Sequence, residues 1–381
     1  MHEQLFEVID TLLGEFTNLL EDICNIESPT SYKAGVDKVG EYCICFAEAR
    51  GWETQRFPEK ISGDTVLITM NPDAEGSPIT LSAHMDTVHP VGSFGTPAVR
   101  RDDEKMYGPG VMDCKGGIAA ALLAMVALEK CRFKDRPIKL FLQSDEETSS
   151  ATSDKNTVKN MCECAKGSVG FINLEGSVKN TAVLARKGII RHRYTVWGKA
   201  LHSARCAYAV SAIAEAAAKI LELEKMKNVD GLTCNCGVIS GGTAPNTVAE
   251  KCTFTTDIRF LTEEELLEAR ETVKRIAETS FVEGSRCDLE EMSFRPSMPY
   301  TEQNKSFLNR INEIYEKCGL PTLTSRLCVS GSDAAYITRE GIPCVDNLGT
   351  EGGNIHSVNE FIKIPSIAES AKRIASVIYY I

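Results

Sequence analysis

The sequence predicts an α/β protein whose main sheet is flanked by helices and whose chain is interrupted by a smaller α+β domain. Its 381 residues exceed the length at which a single core usually stops growing, so two domains are expected. Apolar runs that end in polar clusters alternate with helical patterns up to about residue 186, which is typical of parallel strands joined by helices. Beyond that point the order of elements changes.

In the first part of the chain, short apolar runs predict strands and longer amphipathic segments predict helices. Strands are expected over residues 65–69, 79–83, 138–143 and 169–173, and helices over 2–24, 32–50 and 117–131. Acidic residues such as Glu7 and Asp10 recur in the first helix, which contradicts the unbroken apolar core of a signal peptide. No stretch of 18 apolar residues predicts a transmembrane helix.

Between residues 188 and 294 the pattern predicts the order strand, helix, strand, strand, helix, strand. The strands are expected over 191–197, 233–239, 251–260 and 287–292, and the helices over 210–223 and 263–281. This βαββαβ order is that of a ferredoxin-like sandwich. Polar and apolar residues alternate in the first and third of these strands, so the sheet is expected to have one open face, and such a face can dimerise.

After Arg295 and Pro296 the alternation of the first part resumes. Helices are expected over 305–318, 333–339 and 365–380, with an apolar run over 342–345. We therefore predict that residues 1–186 and 296–381 fold together as one domain and that residues 187–295 form an inserted domain.

Charge and cysteine content exclude several classes of partner and site. The 42 basic and 53 acidic side chains leave a net charge of −11, so neither nucleic acid nor an anionic membrane is an expected partner. Fifteen cysteines, an odd number in a long chain, fit reduced thiols in the cytoplasm better than a disulfide framework. The Cys-x-Cys pairs 43/45, 162/164 and 234/236 do not have the spacing of structural zinc sites, and we expect them to be packed.

His84 and Asp113 are the first candidates for chemistry. His84 ends an apolar run, and Asp86 lies two positions later on the same side of an extended segment. A metal-bound imidazole needs an acceptor for its second N–H, which Asp86 can supply, although an isolated His-x-Asp is more often a turn at a strand end. Asp113 lies in the glycine-rich segment 108–117, where glycines let the backbone crowd a site.

Acidic residues follow two further predicted strands. Glu146 and Glu147 come after strand 138–143, and Glu175 after strand 169–173, so they can converge with His84 at one edge of a parallel sheet. For the first pair alone, a solvated acidic turn is the alternative. Converging carboxylates repel one another, which implies divalent cations, and mixed imidazole and carboxylate ligands favour zinc, with cobalt or manganese as substitutes. One aspartate can bridge two such ions, and Glu146 can act as the general base.

Four motifs carry a resemblance to a known family: Ser82–Val88, Asp113–Gly117, Asp145–Glu147 and Asn354–Ser357. In order and spacing they resemble the dinuclear-zinc hydrolases that include glutamate carboxypeptidase, acetylornithine deacetylase, succinyl-diaminopimelate desuccinylase and aminoacylase. The resemblance covers nearly the whole chain. It implies a catalytic domain with a mixed sheet, an inserted lid or dimerisation domain, and a homodimer.

The same resemblance assigns roles to residues of the predicted site. It implies that one zinc ion is bound by His84 and Glu175 and the other by Glu147 and His356. Asp113 would bridge the two ions. Glu146 would be the base and Asp86 the partner of the first histidine.

Substrate contacts are implied in and near the inserted domain. The resemblance places His202 at the tetrahedral oxyanion, commonly from the partner subunit, and Asn246 at the substrate. Arg259, Gly331 and Ser332 are expected at a substrate carboxylate, which a guanidinium binds through two hydrogen bonds. Taken alone, His202 and Arg259 are more often surface residues.

We therefore predict a zinc-dependent amide-bond hydrolase, an exopeptidase of carboxypeptidase type that acts on small peptides or acyl amino acids. Glu175 favours this prediction, because relatives that act on a free amine often have aspartate there. An N-acyl amino acid deacylase and a non-catalytic peptide-binding module are the alternatives. His89 and Cys114 depart from the pattern of the family: we expect the first to face solvent and the second to be packed without binding metal.

Overall fold

A computed structural model describes residues 2–228 and 231–381 of the chain. The helices are α1 (His2–Asn25), α2 (Lys33–Glu48), α3 (Lys115–Lys130), α4 (Asn156–Ala165), α5 (Ala212–Leu223), α6 (Glu263–Glu278), α7 (Glu302–Lys317), α8 (Ala334–Arg339) and α9 (Pro365–Tyr380). The strands are β1 (Glu53–Phe57), β2 (Thr65–Met70), β3 (Ile79–His84), β4 (Arg100–Arg101), β5 (Lys105–Tyr107), β6 (Ile138–Gln143), β7 (Phe171–Asn173), β8 (Thr181–Arg186), β9 (Gly188–Trp197), β10 (Thr233–Gly241), β11 (Lys251–Phe260), β12 (Arg286–Arg295), β13 (Thr324–Cys328), β14 (Cys344–Val345), β15 (Gly352–Gly353) and β16 (Phe361–Lys363).

The chain divides into two compact units. The first consists of residues 1–185, 300–327 and 332–381, and the second of residues 186–299 and 328–331. Each unit has its own cluster of buried apolar side chains. The assignment of the second unit as a lid or dimerisation domain stays a prediction.

The first unit is built on a six-stranded sheet with the order β1-β2-β6-β3-β7-β14. Strands β6, β3, β7 and β14 run parallel, whereas β1 and β2 are antiparallel, so the mixed sheet is confirmed. The strand predicted over residues 65–69 is β2, which is antiparallel to both of its neighbours. Strand β2 follows β1 through a short connection, which reverses the chain, while a parallel neighbour requires a long crossover.

Helix α3 lies at the centre of the first unit. Each residue from Lys115 to Leu128 is buried, and the helix contacts α1, α9 and strand β3. Five of these residues are alanines and two are glycines, so neighbouring elements can approach the helix closely. The N-terminus of this buried helix is thereby held next to the ends of the central strands. Among the described helices, none combines the length and apolar character needed to cross a bilayer.

The second unit contains a four-stranded antiparallel sheet with the order β10-β11-β9-β12. Its elements follow the order βαββαβ, with α5 and α6 as the helices. Along β9 and β11 buried residues alternate with half-buried ones, as the sequence pattern predicts. Tyr194 and Phe254 stack on the buried face with their ring centroids 4.4 Å apart.

Candidate metal centre

The parallel strands bring three of the predicted ligands to one edge of the main sheet. Strand β3 lies between β6 and β7 and runs parallel to both. His84 is the last residue of β3, Glu147 follows β6 in a short 3-10 turn, and Glu175 lies two residues beyond β7. Because the carboxyl ends of parallel strands share an edge, these residues meet although they are far apart in sequence.

Asp113 lies between two histidines. Its Oδ1 is 3.0 Å from Nε2 of His84, and its Oδ2 is 3.1 Å from Nε2 of His356. Glu175 approaches the first histidine at 3.9 Å, and Glu147 approaches the second at 3.3 Å. The structure therefore brings together all five predicted ligands, in the pairs that the resemblance implies.

Glycines make the approach of the Asp113 segment possible. A Cβ atom on Gly116 would lie 2.4 Å from the carbonyl oxygen of Val111, and one on Gly117 would lie 2.4 Å from that of Leu174. Both distances are too short for any side chain. The turn that carries Asp113 can therefore lie directly against the segment that carries Glu175.

Asp86 lies beside Nδ1 of His84, as the sequence predicts, and also contacts the Glu146–Glu147 turn. Nδ1 of His84 is 2.9 Å from the backbone oxygen of Asp86 and 3.4 Å from its carboxylate. The carboxylate accepts the backbone N–H groups of Glu146 and Glu147 at 3.1 and 3.2 Å, and the hydroxyl of Thr30 at 2.6 Å. Asp86 thus supplies the acceptor for the imidazole with its main chain and orients the Glu146–Glu147 turn with its side chain.

A second buried aspartate holds the same turn from its other side. Asp145 accepts the hydroxyl of Thr157 at 2.7 Å and the backbone N–H of Ser153 at 2.9 Å. Sequence reasoning assigned no role to this residue. Its burial and its two partners make it a structural anchor for the turn that presents Glu146 and Glu147.

Burial of these groups, together with their mutual repulsion, disfavours the ionised form of two carboxylates of the site. Burial and the charge of Asp113 raise the pKa of Glu147 to about 8, and burial raises the pKa of Glu175 well above its usual range. Hydrogen bonds to Asp113 and Glu147 raise the pKa of His356 to about 10. Divalent cations would relieve this repulsion and keep all three carboxylates ionised.

One atom of the site also lacks a partner of its own. Oε1 of Glu147 is buried and accepts no hydrogen bond from the part of the chain that the structure describes. A buried carboxylate oxygen without a donor is costly, whereas a metal ion supplies the missing positive partner. Atoms of His84, Asp113 and Glu147 that can bind metal lie within 4.8 Å of one another. The residues present therefore fit a metal centre.

Cys114 lies close to the same site. Its sulfur is within 4.8 Å of ligand atoms of His84 and Glu175. The thiol is fully buried and donates to the carbonyl oxygen of Leu174 at 3.3 Å. Burial raises the pKa of this thiol well above its usual range, which favours the packed, neutral form that the sequence predicts.

The expectation that His89 faces solvent was wrong. Its side chain is only 7% exposed, and its Nε2 lies 3.0 Å from Oε2 of Glu360. Oε1 of Glu360 accepts the backbone N–H groups of Met112 and Asp113 at 2.9 and 3.0 Å. Glu360 was missed by sequence reasoning. Its position four residues after His356, directly before the short strand β16, is the signal that could have drawn attention to it.

In the second unit the structure brings together the segments of His202 and Asn246. The backbone oxygen of Asn246 accepts the N–H of Ser203 at 2.9 Å, and His202 forms a bridge with Thr247. Both predicted substrate residues are exposed, and Nδ1 of His202 accepts the N–H of Ala204 at 3.2 Å. Their roles toward the substrate stay predictions.

Arg259 is partly engaged within its own unit. Its Nε donates to Asp257 at 2.9 Å, and one terminal nitrogen donates to the carbonyl oxygen of Val329 at 2.9 Å. The carbonyl oxygen of Gly331, two residues further on, accepts from Arg186 at 3.1 Å. These two arginines hold the strap of residues 328–331 in place within the second unit. The substrate contact of Arg259 stays a prediction.

Ser332 belongs to a buried polar cluster of the first unit. Its side chain is 0% exposed, and its hydroxyl donates to Asp346 at 2.6 Å and accepts from Asn173 at 3.1 Å. In this arrangement the hydroxyl is used inside the fold. The substrate contact of Ser332, which the resemblance implies, stays a prediction.

The sequence profile of peptidase family M20/M25/M40 matches residues 80–380, which is most of the chain and includes each predicted ligand. The chain belongs to this peptidase family. Members of the M20 family include enzymes with a dinuclear metal site. The chain is accordingly a metal-dependent hydrolase of peptides or acyl amino acids, as the sequence predicts.

Curated relatives and solved structures of the M20 family cover most of the chain. Carboxypeptidase G2 of Pseudomonas sp. (strain RS-16) is 25% identical over 357 residues, which are 91% of this chain and 85% of the relative. Acetylornithine deacetylase of Myxococcus xanthus is 28% identical over 249 residues, 60% of this chain and 63% of the relative. The structure of a tripeptidase from Staphylococcus aureus superposes with a TM-score of 0.81 at 22% identity, covering 96% of this chain and 98% of that one.

Proposed function

We propose that this M20 peptidase is a carboxypeptidase-type exopeptidase that uses two zinc ions to hydrolyse small peptides or acyl amino acids. The observation that carries the proposal is the position of Asp113, whose two oxygens face His84 and His356 at 3.0 and 3.1 Å. A carboxylate that faces one imidazole with each oxygen suits a bridge between two cations. Glu175 and Glu147 complete one ligand set each.

In this proposal each residue of the centre has a separate role in hydrolysis. When bound, the zinc pair supplies a Lewis acid that polarises the scissile carbonyl and acidifies water. Glu146 lies near enough to both Glu147 and Glu175 for its charge to raise the pKa of each, so it can take a proton from the attacking water and pass it to the leaving amine. Asp86 holds Glu146 in place through the backbone N–H.

Carboxypeptidase specificity is supported by two observations. Glu175 occupies the position at which aminopeptidase relatives often carry aspartate, and the relative with 25% identity over 91% of the chain is a carboxypeptidase. A substrate with a free carboxylate requires a cation, and Arg259 is the candidate because its side chain is partly exposed. In this proposal His202 stabilises the tetrahedral oxyanion, Asn246 contacts the substrate, and Gly331 lines the carboxylate site with its backbone.

Metal analysis combined with a substrate screen tests the proposal. Purified protein should contain about two zinc ions per chain, should release a C-terminal amino acid from dipeptides or N-acyl amino acids, and should lose turnover with a chelator. Added zinc or cobalt should restore turnover. Full turnover in the chelated protein would contradict the mechanism, and a protein that binds peptides without binding metal would favour the non-catalytic module.

A second candidate function is deacylation of N-acyl amino acids, which uses the same centre. The similarity to the acetylornithine deacetylase of Myxococcus xanthus favours it, although that match covers 60% of this chain. The two functions differ in the acyl group that is released. A panel that pairs acetyl and succinyl amino acids with dipeptides of the same C-terminal residue distinguishes them by kcat/KM.

We further propose a cytoplasmic homodimer that forms through the second unit. The open face of its sheet, with half-buried residues along β9 and β11, supports this assembly, and all fifteen cysteines are free, which suits a reducing compartment. Light scattering should give about twice the mass of one chain. A monomer that retains full activity would remove the cross-subunit role proposed for His202.

A further inference from the structure

We propose that Glu360, anchored by His89, is a positioning residue that orients Asp113 in the metal centre. The inference rests on the proposed function, because it assigns Asp113 as the bridging ligand. It concerns two residues outside the predicted ligand set. Both are buried, and they lie 271 positions apart in sequence.

Glu360 is placed to fix the main chain of the Asp113 turn. Its side chain is 0% exposed, and its Oε1 accepts two consecutive N–H groups, from Met112 at 2.9 Å and from Asp113 at 3.0 Å. Two donors on one oxygen fix the plane of the peptide group that precedes the aspartate. Since the side chain of Asp113 projects from that backbone, the direction of its carboxylate is set as well.

The same residue joins the segments that carry the proposed bridging ligand, Asp113, and the ligand His356. The backbone N–H of Glu360 donates to the carbonyl oxygen of Ser357 at 3.0 Å, which closes the turn that directly follows His356. Its carbonyl oxygen accepts from Gly108 at 3.3 Å, at the start of the glycine-rich segment of Asp113. Glu360 therefore contacts the segments of both Asp113 and His356 with its main chain and side chain together.

His89 holds the other oxygen of this carboxylate. Its Nε2 donates to Oε2 of Glu360 at 3.0 Å, while its ring packs edge-on against Phe94 with the centroids 4.9 Å apart. Without this donor, Oε2 would be buried and unpaired, and the carboxylate could rotate away from the two amides. His89 thus acts on the metal centre through Glu360 and does not need to touch substrate or metal.

The test uses zinc affinity and the visible spectrum of the cobalt-substituted protein. Glu360→Gln retains the size of the side chain and one acceptor oxygen but weakens the hold on the amides. We expect zinc to bind roughly 10- to 100-fold more weakly, with an altered cobalt spectrum and a lower kcat at similar KM. His89→Phe, which keeps the ring but removes the donor, should behave likewise. His89→Gln, which restores a donor, should recover part of the affinity.

Glu215 offers a matched control in the second unit. It is also 0% exposed and accepts two consecutive N–H groups with one oxygen, from Phe281 and Val282 at 2.9 and 2.6 Å. Glu215→Gln should lower the melting temperature without changing zinc affinity or the cobalt spectrum. If Glu360→Gln and His89→Phe also change only the melting temperature, their role is structural and the inference is wrong.

A double-variant cycle separates positioning through Glu360 from an independent effect of His89. If His89 acts through the carboxylate, Glu360→Gln combined with His89→Phe should bind zinc about as weakly as Glu360→Gln alone. Multiplicative losses would overturn the proposed link between the two residues. A wild-type protein that binds no zinc would instead contradict the proposed function itself, so the two failures are distinguishable.

Discussion

The two histidines of the candidate metal centre differ in how much of each side chain is exposed. His84 is buried, with 2% of its side chain exposed, whereas 52% of the His356 side chain is exposed. His356 also has a positive φ of 62°, in a turn rather than in a strand. The site therefore combines a rigid half, built at the ends of parallel strands, with a half that depends on a surface turn.

We expect His356→Asn to bind about one zinc ion in place of two. His84, Asp113 and Glu175 remain together in that variant, so one ligand set stays intact, while the other loses its imidazole. Metal analysis after gel filtration at low free zinc measures the stoichiometry. His2→Asn, remote from the site in α1, should keep both ions; a His356 variant that also keeps both would exclude this histidine as a ligand.

The role of Glu146 in catalysis should be separable from the binding of metal. Glu146→Gln is expected to lower kcat by roughly a hundredfold or more, because general acid and base groups contribute that much to the rate. The zinc content of the variant should stay unchanged. Parallel measurement of turnover and bound zinc tests this. A loss of less than about tenfold would show that another group moves the proton.

At the scale of elements, a buried ion pair on α5 of the second unit also contacts the end of α6. Lys219 and Glu215 lie on α5, with side chains 1% and 0% exposed, and are 2.9 Å apart. Lys219 also donates to the carbonyl oxygens of Ile276 and Ala277 at 2.7 and 3.1 Å, at the end of α6. The pair therefore ties α5 to the end of α6, where helix carbonyls otherwise lack partners.

Removal of the buried ammonium should destabilise the protein strongly. We expect Lys219→Met to lower the free energy of unfolding by about 3–5 kcal/mol, because Glu215 is left as an unpaired buried charge. Urea denaturation followed by fluorescence measures the difference. Lys225→Met, at an exposed pair with Glu222, should change it by less than about 0.5 kcal/mol. Similar effects of the two variants would contradict the importance of burial.

A buried histidine in β9 should make stability depend on pH. Burial, assisted by the charge of Arg270, lowers the pKa of His192 to about 4, and its Nδ1 has no partner among the described residues. In the unfolded chain the pKa is about 6.5, so the stability present above this pH is lost as the pH falls toward 4.

Substitution of this histidine should remove that dependence. Between pH 6.5 and 4, His192 is expected to contribute a slope of up to about 1.4 kcal/mol per pH unit to the free energy of unfolding. His192→Gln cannot titrate and should lose this component. Urea titrations of both proteins at several pH values measure it; equal slopes would show that His192 is already protonated in the folded state.

At the scale of the whole molecule, the predicted ligands all belong to the first unit. The second unit has its own core, which includes Tyr194, Phe254 and Phe260. Ligands stabilise the state to which they bind, and a ligand present at a hundred times its dissociation constant contributes about 2.7 kcal/mol. Metal binding should therefore raise the stability of the first unit more than that of the second.

Removal of zinc should lower the stability of the first unit against local unfolding and leave that of the second unit unchanged. We expect a chelator to speed hydrogen exchange of amides near His84, Asp113 and His356, while amides of β9 and β11 keep their protection. Exchange followed by mass spectrometry locates the change. The metal-free His356→Asn variant, which lacks one of the five predicted ligands, serves as the reference for the exchange rates. Uniform loss of protection in both units would contradict a metal centre confined to the first.

Local patterns in the sequence predicted the central strands and most of the helices, together with the candidate ligands that follow the strands. The apolar runs over 138–143 and 251–260 and the helical pattern over 365–380 agree with β6, β11 and α9 at both bounds. Strand β1 was missed because its sequence, Glu-Thr-Gln-Arg-Phe, is mostly polar and exposed. Helix α4 was missed as well, although its buried face includes Val158 and Met161.

By itself, the sequence determined which five residues are the candidate metal ligands. His84, Asp113, Glu147 and Glu175 follow strands or lie in a glycine-rich segment that is recognisable locally, and His356 is implied by the resemblance. Tertiary structure alone decided how those ligands are supported: the link from His89 to Glu360, the carboxylate of Asp86 beneath the Glu146 turn, and the burial of Ser332. The physical reason is that a hydrogen bond between distant segments depends on where the chain returns in space. Such a contact leaves no periodicity or spacing in the sequence.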